Sequence, residues 1–486
     1  MHSSLNEAFL AAAEREGEKT ALAGPGGTYT FAEYAGAALS AARALEESGA
    51  GERVALLLPT SEAFAVMYFG TLLSGRVPVP LNFLLSPREI SAITRDAGVD
   101  RVFTVEAFGE LAGALGLETV AVEKWLPRAI AAGPGAPKPA NRVATVLYTS
   151  GTTGAPKGVV LTQANLLANI EGCVEHFGFG PEHRLLGVLP LFHTFALTTT
   201  LLLPAVIGAT TVLMPRFEPR RAAEMIPAQS ITTLVAVPSM YRAMLRAVEN
   251  TDVDFTSLEL PICGGEPLHE QYFHAWNERH GVTLLEGYGL TETSPVISAN
   301  TPRRFKPGTV GTPLANLEVR VCDEEGRDAG VNVDGEIRVR GPSVMEGYLN
   351  LEEETGAAIT PDAFFRTGDI GRRDEDGFLK ITGRKKEMII SAGENIFPSE
   401  IEQVLLAHPA VAEAAVIGVP HEQRGEAPKA FVVLAEGCTA GADELKDFCR
   451  ERIARYKVPV EVETRDEFPH SPMGKILKKR LAAEGG

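Results

Sequence analysis

The chain has 486 residues, enough for more than one domain with a substantial core. Its formal net charge of -17 argues against a nucleic-acid partner and against binding to anionic membranes by bulk attraction. The five cysteines are scattered and include no C-x-x-C pair, so they indicate neither a disulfide framework nor a zinc site and fit a reducing cytoplasm. The first residues lack the basic and apolar regions of a secretion signal, and none is expected.

The first part of the chain alternates predicted strands and helices. Val54 to Leu58 is a continuous apolar run, as in a strand buried on both faces, and Ser61 to Ser74 has helical apolar spacing behind a serine cap. Ser86-Pro87 predicts the start of another helix, and residues 102–105 are the strand of that second unit. The alternation predicts a layered α/β domain. Residues 131–140, rich in Pro, Gly and Ala, predict a flexible connector.

A loop rich in glycine and hydroxyl groups follows at residues 148–158, with the sequence YTSGTTGAPKG. Its glycines let the backbone turn tightly around an anion, its hydroxyls add donors, and Lys157 supplies a compact positive charge. The β-rich run at residues 142–148 predicts that the loop leaves the end of a strand, and such a loop suits a nucleotide triphosphate. It is not a Walker A motif, because Lys157 comes three residues after Gly154. The alternative is an ordinary surface turn.

Residues 185–215 contain no Lys, Arg, Asp or Glu, which raises the question of a membrane span. Two prolines and a glycine argue instead for a buried helix at about Thr194 to Leu203 and a strand at Ala209 to Met214, because irregular backbone in lipid is costly. Pro190-Leu191-Phe192-His193 and the helix after it are predicted to line an apolar channel. A further strand and helix are predicted within residues 232–248, and taken alone all these segments would be ordinary core.

Two glycine-containing turns follow predicted strands, CGGEPL at residues 263–268 and EGYGLTET at residues 286–293. In the second turn, Tyr288 offers an aromatic face for a base, Thr291 a hydroxyl for a phosphate, and Glu292 a hard carboxylate for Mg²⁺. As an isolated motif, this turn is equally consistent with a polar helix N-terminus that Thr291 caps.

A second carboxylate and an arginine occur within one predicted hairpin. Asp369 ends the motif FRTGD and Arg384 lies in GRKKE, so Asp369 can accept the hydroxyls of a ribose while Arg384 reinforces it. The alternative is a simple salt bridge between the two. After Glu387 a small α/β unit is predicted, with helices at residues 398–408 and 443–455 and strands at residues 414–419 and 430–434. Its basic tail presents Lys475 on a loop, although a solvated positive run would look the same.

Together these stretches resemble the acyl-adenylate-forming family, which contains acyl-CoA synthetases, non-ribosomal adenylation domains and firefly-type luciferases. The resemblance spans about residues 5–481 and includes five motifs in the family's order: YTSGTTGAPKG, EGYGLTET, FRTGD, GRKKE and the GK near the C-terminus. Within the family the chain looks most like the bacterial fatty acyl-CoA synthetases. The resemblance implies an α/β fold with a large, multi-layered N-terminal adenylation domain at residues 1–384, which contains parallel-type sheets. It also implies a mobile C-terminal lid at residues 385–486, with a hinge near Lys386.

The resemblance also implies roles for individual residues. Those for catalysis are Lys475, Thr291 and Glu292, with Glu292 also holding the metal. Those for the nucleotide are Thr149, Ser150, Gly151, Thr152, Thr153, Gly154, Lys157, Gly265, Glu266, Pro267, Glu286, Gly287, Tyr288, Gly289, Asp369, Ile381 and Arg384. Those for the acid pocket are Phe192, His193, Phe195, Leu197, Val235 and Gly264. Those for the hinge and the thiol tunnel are Lys386, Gly393, Glu394 and Asn395.

The chemistry explains why these residue types are needed. A carboxylate is already ionised at pH 7, so its attack on the α-phosphorus of ATP requires no general base. It requires control of charge, because two anions must meet while pyrophosphate leaves, and preorganised donors and Mg²⁺ provide that control. The resemblance implies that a thiol then attacks the acyl-AMP carbonyl and AMP leaves. The expected cofactors are therefore ATP, Mg²⁺ and coenzyme A.

The acid is predicted from the uncharged channel. A wall at Phe192, Phe195, Leu197 and Val235 suits an alkyl chain, so a medium- or long-chain fatty acid is expected, with an aryl acid next. A carrier protein is the alternative thiol acceptor. A luciferase-like oxygenase and an inactive nucleotide-binding protein remain as alternatives of another class. A cytoplasmic protein is expected, with a homodimer among the assemblies considered and no transmembrane segment.

Three departures from the common family pattern bear on these expectations. Met473 precedes the Gly-Lys pair where a small polar residue is usual, and Glu266 stands where many acyl-CoA synthetases have alanine. Leu197 occupies a position where some long-chain enzymes have a gating tryptophan. The first two leave every reacting group in place, and the third leaves the gating of the channel open.

Overall fold

The computed structural model describes residues 2–149, 156–391, 394–469, 476–478 and 480–481. The predicted Ser150, Gly151, Thr152, Thr153, Gly154, Gly393 and Lys475 lie outside the described residues. The helices are α1 (Leu5–Glu16), α2 (Phe31–Glu47), α3 (Glu62–Leu73), α4 (Pro87–Asp96), α5 (Gly109–Gly113), α6 (Val122–Ala131), α7 (Gln163–Phe177), α8 (Thr194–Ala196), α9 (Leu203–Ile207), α10 (Pro219–Ala228), α11 (Pro238–Ala247), α12 (Glu270–His280), α13 (Glu352–Ala358), α14 (Pro398–Leu406) and α15 (Ala442–Arg450).

The strands complete the secondary structure of the described residues. They are β1 (Thr20–Gly24), β2 (Gly27–Thr30), β3 (Arg53–Leu57), β4 (Val77–Pro80), β5 (Arg101–Thr104), β6 (Glu118–Ala121), β7 (Val143–Thr149), β8 (Lys157–Thr162), β9 (Arg184–Gly187), β10 (Thr210–Leu213), β11 (Thr233–Ala236), β12 (Leu260–Gly264), β13 (Leu285–Gly289), β14 (Val296–Ala299), β15 (Thr312–Pro313), β16 (Glu318–Cys322), β17 (Gly335–Arg340), β18 (Gly347–Tyr348), β19 (Phe365–Arg373), β20 (Leu379–Arg384), β21 (Ile389–Ser391), β22 (Glu394–Ile396), β23 (Val411–His421), β24 (Gly425–Leu434) and β25 (Glu461–Arg465).

The strands form several sheets. The largest, within the described part of the chain, has the order β15-β14-β13-β12-β11-β9-β10-β1-β2, and its centre from β13 to β1 is parallel. A parallel sheet β4-β3-β5-β6 lies in the first part of the chain, where alternating strands and helices were predicted. Two further sheets, of three and four strands, follow, with the orders β18-β8-β7 and β16-β17-β19-β20. Because helices cover these sheets, the predicted α/β fold with parallel sheets is confirmed.

Local capping explains several helix starts. The Ser61 side chain accepts a hydrogen bond from the Phe64 amide at the start of α3. At α4 the Ser86 hydroxyl accepts from the Glu89 amide while the Glu89 side chain accepts from the Ser86 amide, and Pro87 occupies the first turn. The helices predicted after Ser61 and Ser86 are therefore confirmed.

The uncharged stretch forms the predicted helix and strand, with one difference. The helix runs from Thr194 to Ile207 and contains a π-helical segment at Leu197–Leu202, so the predicted end at Leu203 is too early. Its end is set by Gly208, which adopts the left-handed conformation and donates its amide hydrogen to the Pro204 carbonyl. Among the described residues, no helix is long and apolar enough to cross a membrane.

A second hydrophobic core belongs to the C-terminal part of the chain. Residues from Ile389 to Val462 bury their apolar side chains with one another, on the sheet β22-β21-β24-β23 with β25 beside β24 and the helices α14 and α15. The predicted small α/β unit after Glu387 is thus present. The boundary at residue 384 and the motion of this unit as a lid stay predictions.

Candidate active site

The loop predicted to hold phosphate joins two paired strands. Thr149 ends β7, Lys157 begins β8, and these two residues face each other across the antiparallel pair. The Lys157 ammonium lies 4.8 Å from the centre of the Tyr348 ring. Lys157 is therefore held at the base of this hairpin by an aromatic face, where its charge is available to an anion.

The same tyrosine also contacts Glu292. The Tyr348 hydroxyl donates to Glu292 Oε1 at 2.9 Å, and the Met345 amide donates to the Glu292 backbone carbonyl at 2.8 Å. Burial raises the pKa of the Glu292 carboxyl. A cation beside this carboxylate would lower the cost of its charge, and Mg²⁺ is commonly bound by one or two carboxylates together with substrate phosphates. Glu292 therefore fits the metal-binding role, and Thr291 precedes it in a short 3₁₀ turn at Thr291–Thr293.

Tyr288, Asp369 and Arg384 form one cluster. The Tyr288 hydroxyl donates to Asp369 Oδ2 at 2.6 Å, and Arg384 Nε lies 3.0 Å from Asp369 Oδ1. Asp369 is only 2% exposed, whereas the Arg384 side chain is 41% exposed. The salt bridge that was the simpler interpretation is present, and it leaves the arginine accessible from the open side. The strand pair β19–β20 places Asp369 opposite Arg384.

The two glycine turns end neighbouring parallel strands, β12 and β13, where such sheets commonly bind ligands. Gly265 has φ +83°, a conformation that favours glycine. A Cβ on Gly289 would lie 2.0 Å from the Pro295 carbonyl oxygen, so close backbone packing already requires a glycine there.

Two acidic side chains brace these turns. Glu266 Oε2 accepts from the Ser239 amide at 3.2 Å, and Glu286 Oε1 accepts from the Leu268 amide at 3.0 Å. Burial raises the pKa of Glu286 to about 7. Pro267 lies between β12 and α12 in the same turn. Both carboxylates thus have a structural contact of their own besides any contact with a nucleotide.

A cavity of about 80 Å³ opens beside these turns. Its lining, within the described part of the chain, contains no charged side chain. It consists of Cys173, Phe177, Phe179, Phe195, Thr199, Ile262, Gly264, Gly265, Gly287, Tyr288, Gly289, Pro295, Val296 and Ala299. The Thr199 hydroxyl donates to the Phe195 carbonyl, and burial raises the pKa of the Cys173 thiol to about 12. The cavity therefore suits an apolar group.

The six predicted pocket residues occupy different places. Phe195 and Gly264 line the cavity, whereas Leu197 and Val235 are 0% exposed and belong to the main core. Phe192 packs edge-on against Phe83 with ring centres 5.1 Å apart. His193 lies beside Phe192, and burial lowers the pKa of His193 to about 4, so its imidazole is neutral at pH 7.

The residues predicted for the hinge and the thiol tunnel follow β20. Ile381 packs on the main core from β20, and Lys386 lies in a 3₁₀ turn at Lys385–Glu387. Glu394 and Asn395 are exposed on β22, where they pair with Ser391 and Ile390 of β21.

Sequence reasoning missed two features of this site. One is Tyr348, which contacts Lys157 and hydrogen-bonds Glu292 although it lies in the two-residue strand β18. The other is the aromatic pair Phe177 and Phe179 at the end of α7, which lines the cavity. The sequence offered one weak indication of Tyr348, its position directly after a glycine. The sequence around Phe177 and Phe179 looks like that of an ordinary helix end and gives no indication of a cavity.

Comparison with known proteins shows the family. The family model described as AMP-binding enzyme matches residues 9–349, and the model of the AMP-binding enzyme C-terminal domain matches residues 400–475. The chain belongs to the AMP-binding enzyme family, as the sequence motifs indicated. It is therefore an enzyme of the AMP-forming acyl-CoA ligase class, whose members use ATP, Mg²⁺ and CoA and act through an acyl-AMP.

Two curated relatives illustrate the range of this class. The chain is 34% identical to a long-chain-fatty-acid–CoA ligase of Bacillus subtilis (strain 168), over 99% of this chain and 95% of that protein. It is 35% identical to a feruloyl-CoA synthase of an Amycolatopsis species, over 96% of each. The relatives thus include both aliphatic and aryl acids in their names.

The solved structures show the same fold. ATP-bound MatB from Rhodopseudomonas palustris matches with a TM-score of 0.92 and 31% identity, over 100% of this chain and 99% of that one. The apo form of MatB gives a TM-score of 0.82 at 30% identity and the same coverage. The Bacillus subtilis o-succinylbenzoate CoA synthetase MenE, solved with ATP and magnesium, gives 0.88 at 32% identity over 98% of this chain and 99% of that one.

Proposed function

We propose that this enzyme activates a medium- or long-chain fatty acid with ATP and transfers the acyl group to coenzyme A. The observation that carries the proposal is the uncharged cavity that opens beside Tyr288 and the Asp369–Arg384 pair. Its aromatic and aliphatic lining favours an alkyl chain at about 0.8 kcal/mol per buried CH₂. It offers no cationic side chain, among the described residues, to a second carboxylate.

The surrounding residues support a division of roles for the nucleotide. Asp369 is positioned by Tyr288 and Arg384 to accept ribose hydroxyls, and Lys157 is positioned by Tyr348 to attract phosphate. Glu292 would hold Mg²⁺, which when bound neutralises charge on the phosphates. The acid carboxylate attacks the α-phosphorus of ATP, the bond to pyrophosphate breaks, and acyl-AMP forms. The thiol of CoA then displaces AMP from the acyl carbonyl.

The test is pyrophosphate release from ATP across a panel of acids, with and without CoA. The panel contains acetate, octanoate, dodecanoate, hexadecanoate, ferulate, o-succinylbenzoate and anthranilate. We expect kcat/KM to rise about fourfold for each CH₂ that the cavity buries, and to reach its maximum at octanoate or a longer acid. An equal or faster reaction with ferulate or anthranilate would replace the fatty acid by an aryl acid, which the aromatic lining from Phe177 and Phe179 also accommodates.

The same assay separates the acceptors. Thioester formation with CoA supports the proposal, whereas activity with a holo acyl carrier protein and none with CoA would assign a carrier-protein ligase. Product formation that depends on dioxygen would assign an oxygenase. We also propose a cytoplasmic location, which is supported by five cysteines that form no disulfide.

A further inference from the structure

An ion pair joins the C-terminal unit to helix α11 at a point far along the chain from the predicted hinge. Arg242 Nη2 on α11 lies 3.6 Å from Glu413 Oε1 on β23. Both side chains are largely buried, at 24% and 21% exposed. Near the hinge itself the two parts also meet, because the Ser399 hydroxyl donates to the Thr382 carbonyl. The Arg242 contact therefore adds a second, remote attachment.

The guanidinium is held in place from its own side. Arg242 Nη1 lies 3.5 Å from the Tyr272 hydroxyl on α12, and the guanidinium carbon lies 5.7 Å from the centre of the Tyr272 ring. An arginine fixed by stacking and by its planar fork loses little conformational freedom when it pairs with a carboxylate. The contacts with Tyr272 thus hold the Arg242 guanidinium in a position from which it can pair with Glu413.

Helix α11 also contacts the nucleotide side of the site. Its Ser239 amide, in the first turn, donates to Glu266 Oε2 in the glycine turn after β12. Glu266 thus contacts the first turn of this ten-residue helix, and Arg242 lies at its middle. The glycine turn and the C-terminal unit are therefore both in contact with one short helix, α11.

We propose that Arg242 is a positioning residue that docks the C-terminal unit, through Glu413, in the arrangement that serves adenylate formation. The whole-chain agreement is higher with ATP-bound MatB, at a TM-score of 0.92, than with apo MatB, at 0.82. The chain as a whole therefore resembles the ATP-bound form of that relative more closely than its apo form. The proposal rests on the two-step ligase chemistry and not on the identity of the acid.

The test measures each half-reaction in single turnover, with the acid of the panel that the wild-type enzyme activates best. Arg242→Ala and Glu413→Ala are each expected to slow acyl-AMP formation about fivefold or more. The conversion of supplied acyl-AMP and CoA to thioester should change less than twofold. Arg242→Lys should keep a higher rate of acyl-AMP formation than Arg242→Ala. The double variant Arg242→Glu with Glu413→Arg should form acyl-AMP faster than either of these charge-reversing substitutions alone.

A control of equal distance but greater exposure comes from an ion pair within the N-terminal part. Arg279 Nη1 and Glu249 Oε1 are also 3.6 Å apart, and Arg279→Ala should leave both half-reactions unchanged. Equal slowing of the two half-reactions by Arg242→Ala, or additive effects of Arg242→Ala and Glu413→Ala in the double variant, would overturn the proposal. Selective loss of thioester formation would also overturn it. The fatty-acid proposal is tested separately by the acid panel, because the half-reactions are measured with whichever acid reacts best.

Discussion

At the scale of single residues, the site combines a partly buried carboxylate, that of Glu292, with a neutral hydrogen-bond donor, the Tyr348 hydroxyl. Glu292 accepts a hydrogen bond from Tyr348, and the same ring contacts Lys157. The tyrosine hydroxyl thus stabilises the charged form of the carboxylate. The aromatic ring also keeps the lysine beside the place where phosphate is expected. Tyr348 is neutral and contacts both charged side chains, Lys157 and Glu292, and so helps to hold them in place.

The first prediction concerns the metal. Glu292→Gln should raise the Mg²⁺ concentration needed for half-maximal adenylation and lower its rate, because Mg²⁺ loses an anionic ligand while the side-chain shape is kept. Tyr348→Phe is the matched control, since it removes the hydrogen bond and leaves the carboxylate. Its Mg²⁺ titration should shift much less. An unchanged titration in Glu292→Gln would make Glu292 a structural residue of its turn.

The second prediction concerns pH and stability. Burial raises the pKa of Glu286 from 4.5 to about 7, so the folded state binds more protons than the unfolded state between these values. The free energy of unfolding should therefore fall as pH rises through this window, by about 3 kcal/mol in total. Glu286→Gln keeps an oxygen for the Leu268 amide and should flatten the fall. Urea unfolding at pH 5 and pH 7.5 measures this free energy for the wild-type protein and for Glu286→Gln. An equal change with pH in the two proteins would contradict the prediction.

At the scale of elements, the end of α7 sets one wall of the cavity. Phe177→Ala should enlarge the cavity and move the optimum toward longer or bulkier acids, with KM for ATP unchanged. The measurement is kcat/KM across the acid panel, with circular dichroism to check the fold. An unchanged acid profile would place the substrate elsewhere. Val235→Asp is a useful contrast, because a charge at this fully buried position on β11 should unfold the protein instead of changing its specificity.

The elements also show which features a sequence can predict. Helix starts at Ser61 and Ser86 were predictable because a cap involves residues three positions apart. The cavity lining was not, because the large sheet brings α7, β12 and β14 together from distant parts of the chain. The motif of residues 286–293 was recognisable, yet the structural need for Gly289 comes from Pro295, which its composition does not reveal.

At the scale of the whole molecule, the lid hypothesis gives the last prediction. Lys475→Ala should remove charge stabilisation from adenylation, at a cost of about 10²-fold or more, and leave conversion of supplied acyl-AMP to thioester nearly intact. Gly393→Leu should do the reverse by obstructing the thiol tunnel, and Lys386→Pro should slow the second step by restricting the hinge. Single-turnover rates of each half-reaction decide this. Equal slowing of both by Lys475→Ala would exclude an alternating lid.

The two separate cores have a consequence for how such enzymes diversify. The residues that line the cavity lie between Cys173 and Ala299, whereas the C-terminal unit buries its own apolar residues from Ile389 to Val462. Among the described residues, none that lines the cavity belongs to that C-terminal core, so substitutions in the lining leave its apolar packing in place. Selection can therefore change the accepted acid through substitutions in the segment that lines the cavity, while the segment that encodes the C-terminal unit stays the same. Recombination between relatives near residues 385–391 should accordingly yield folded hybrids whose acid preference follows the N-terminal parent.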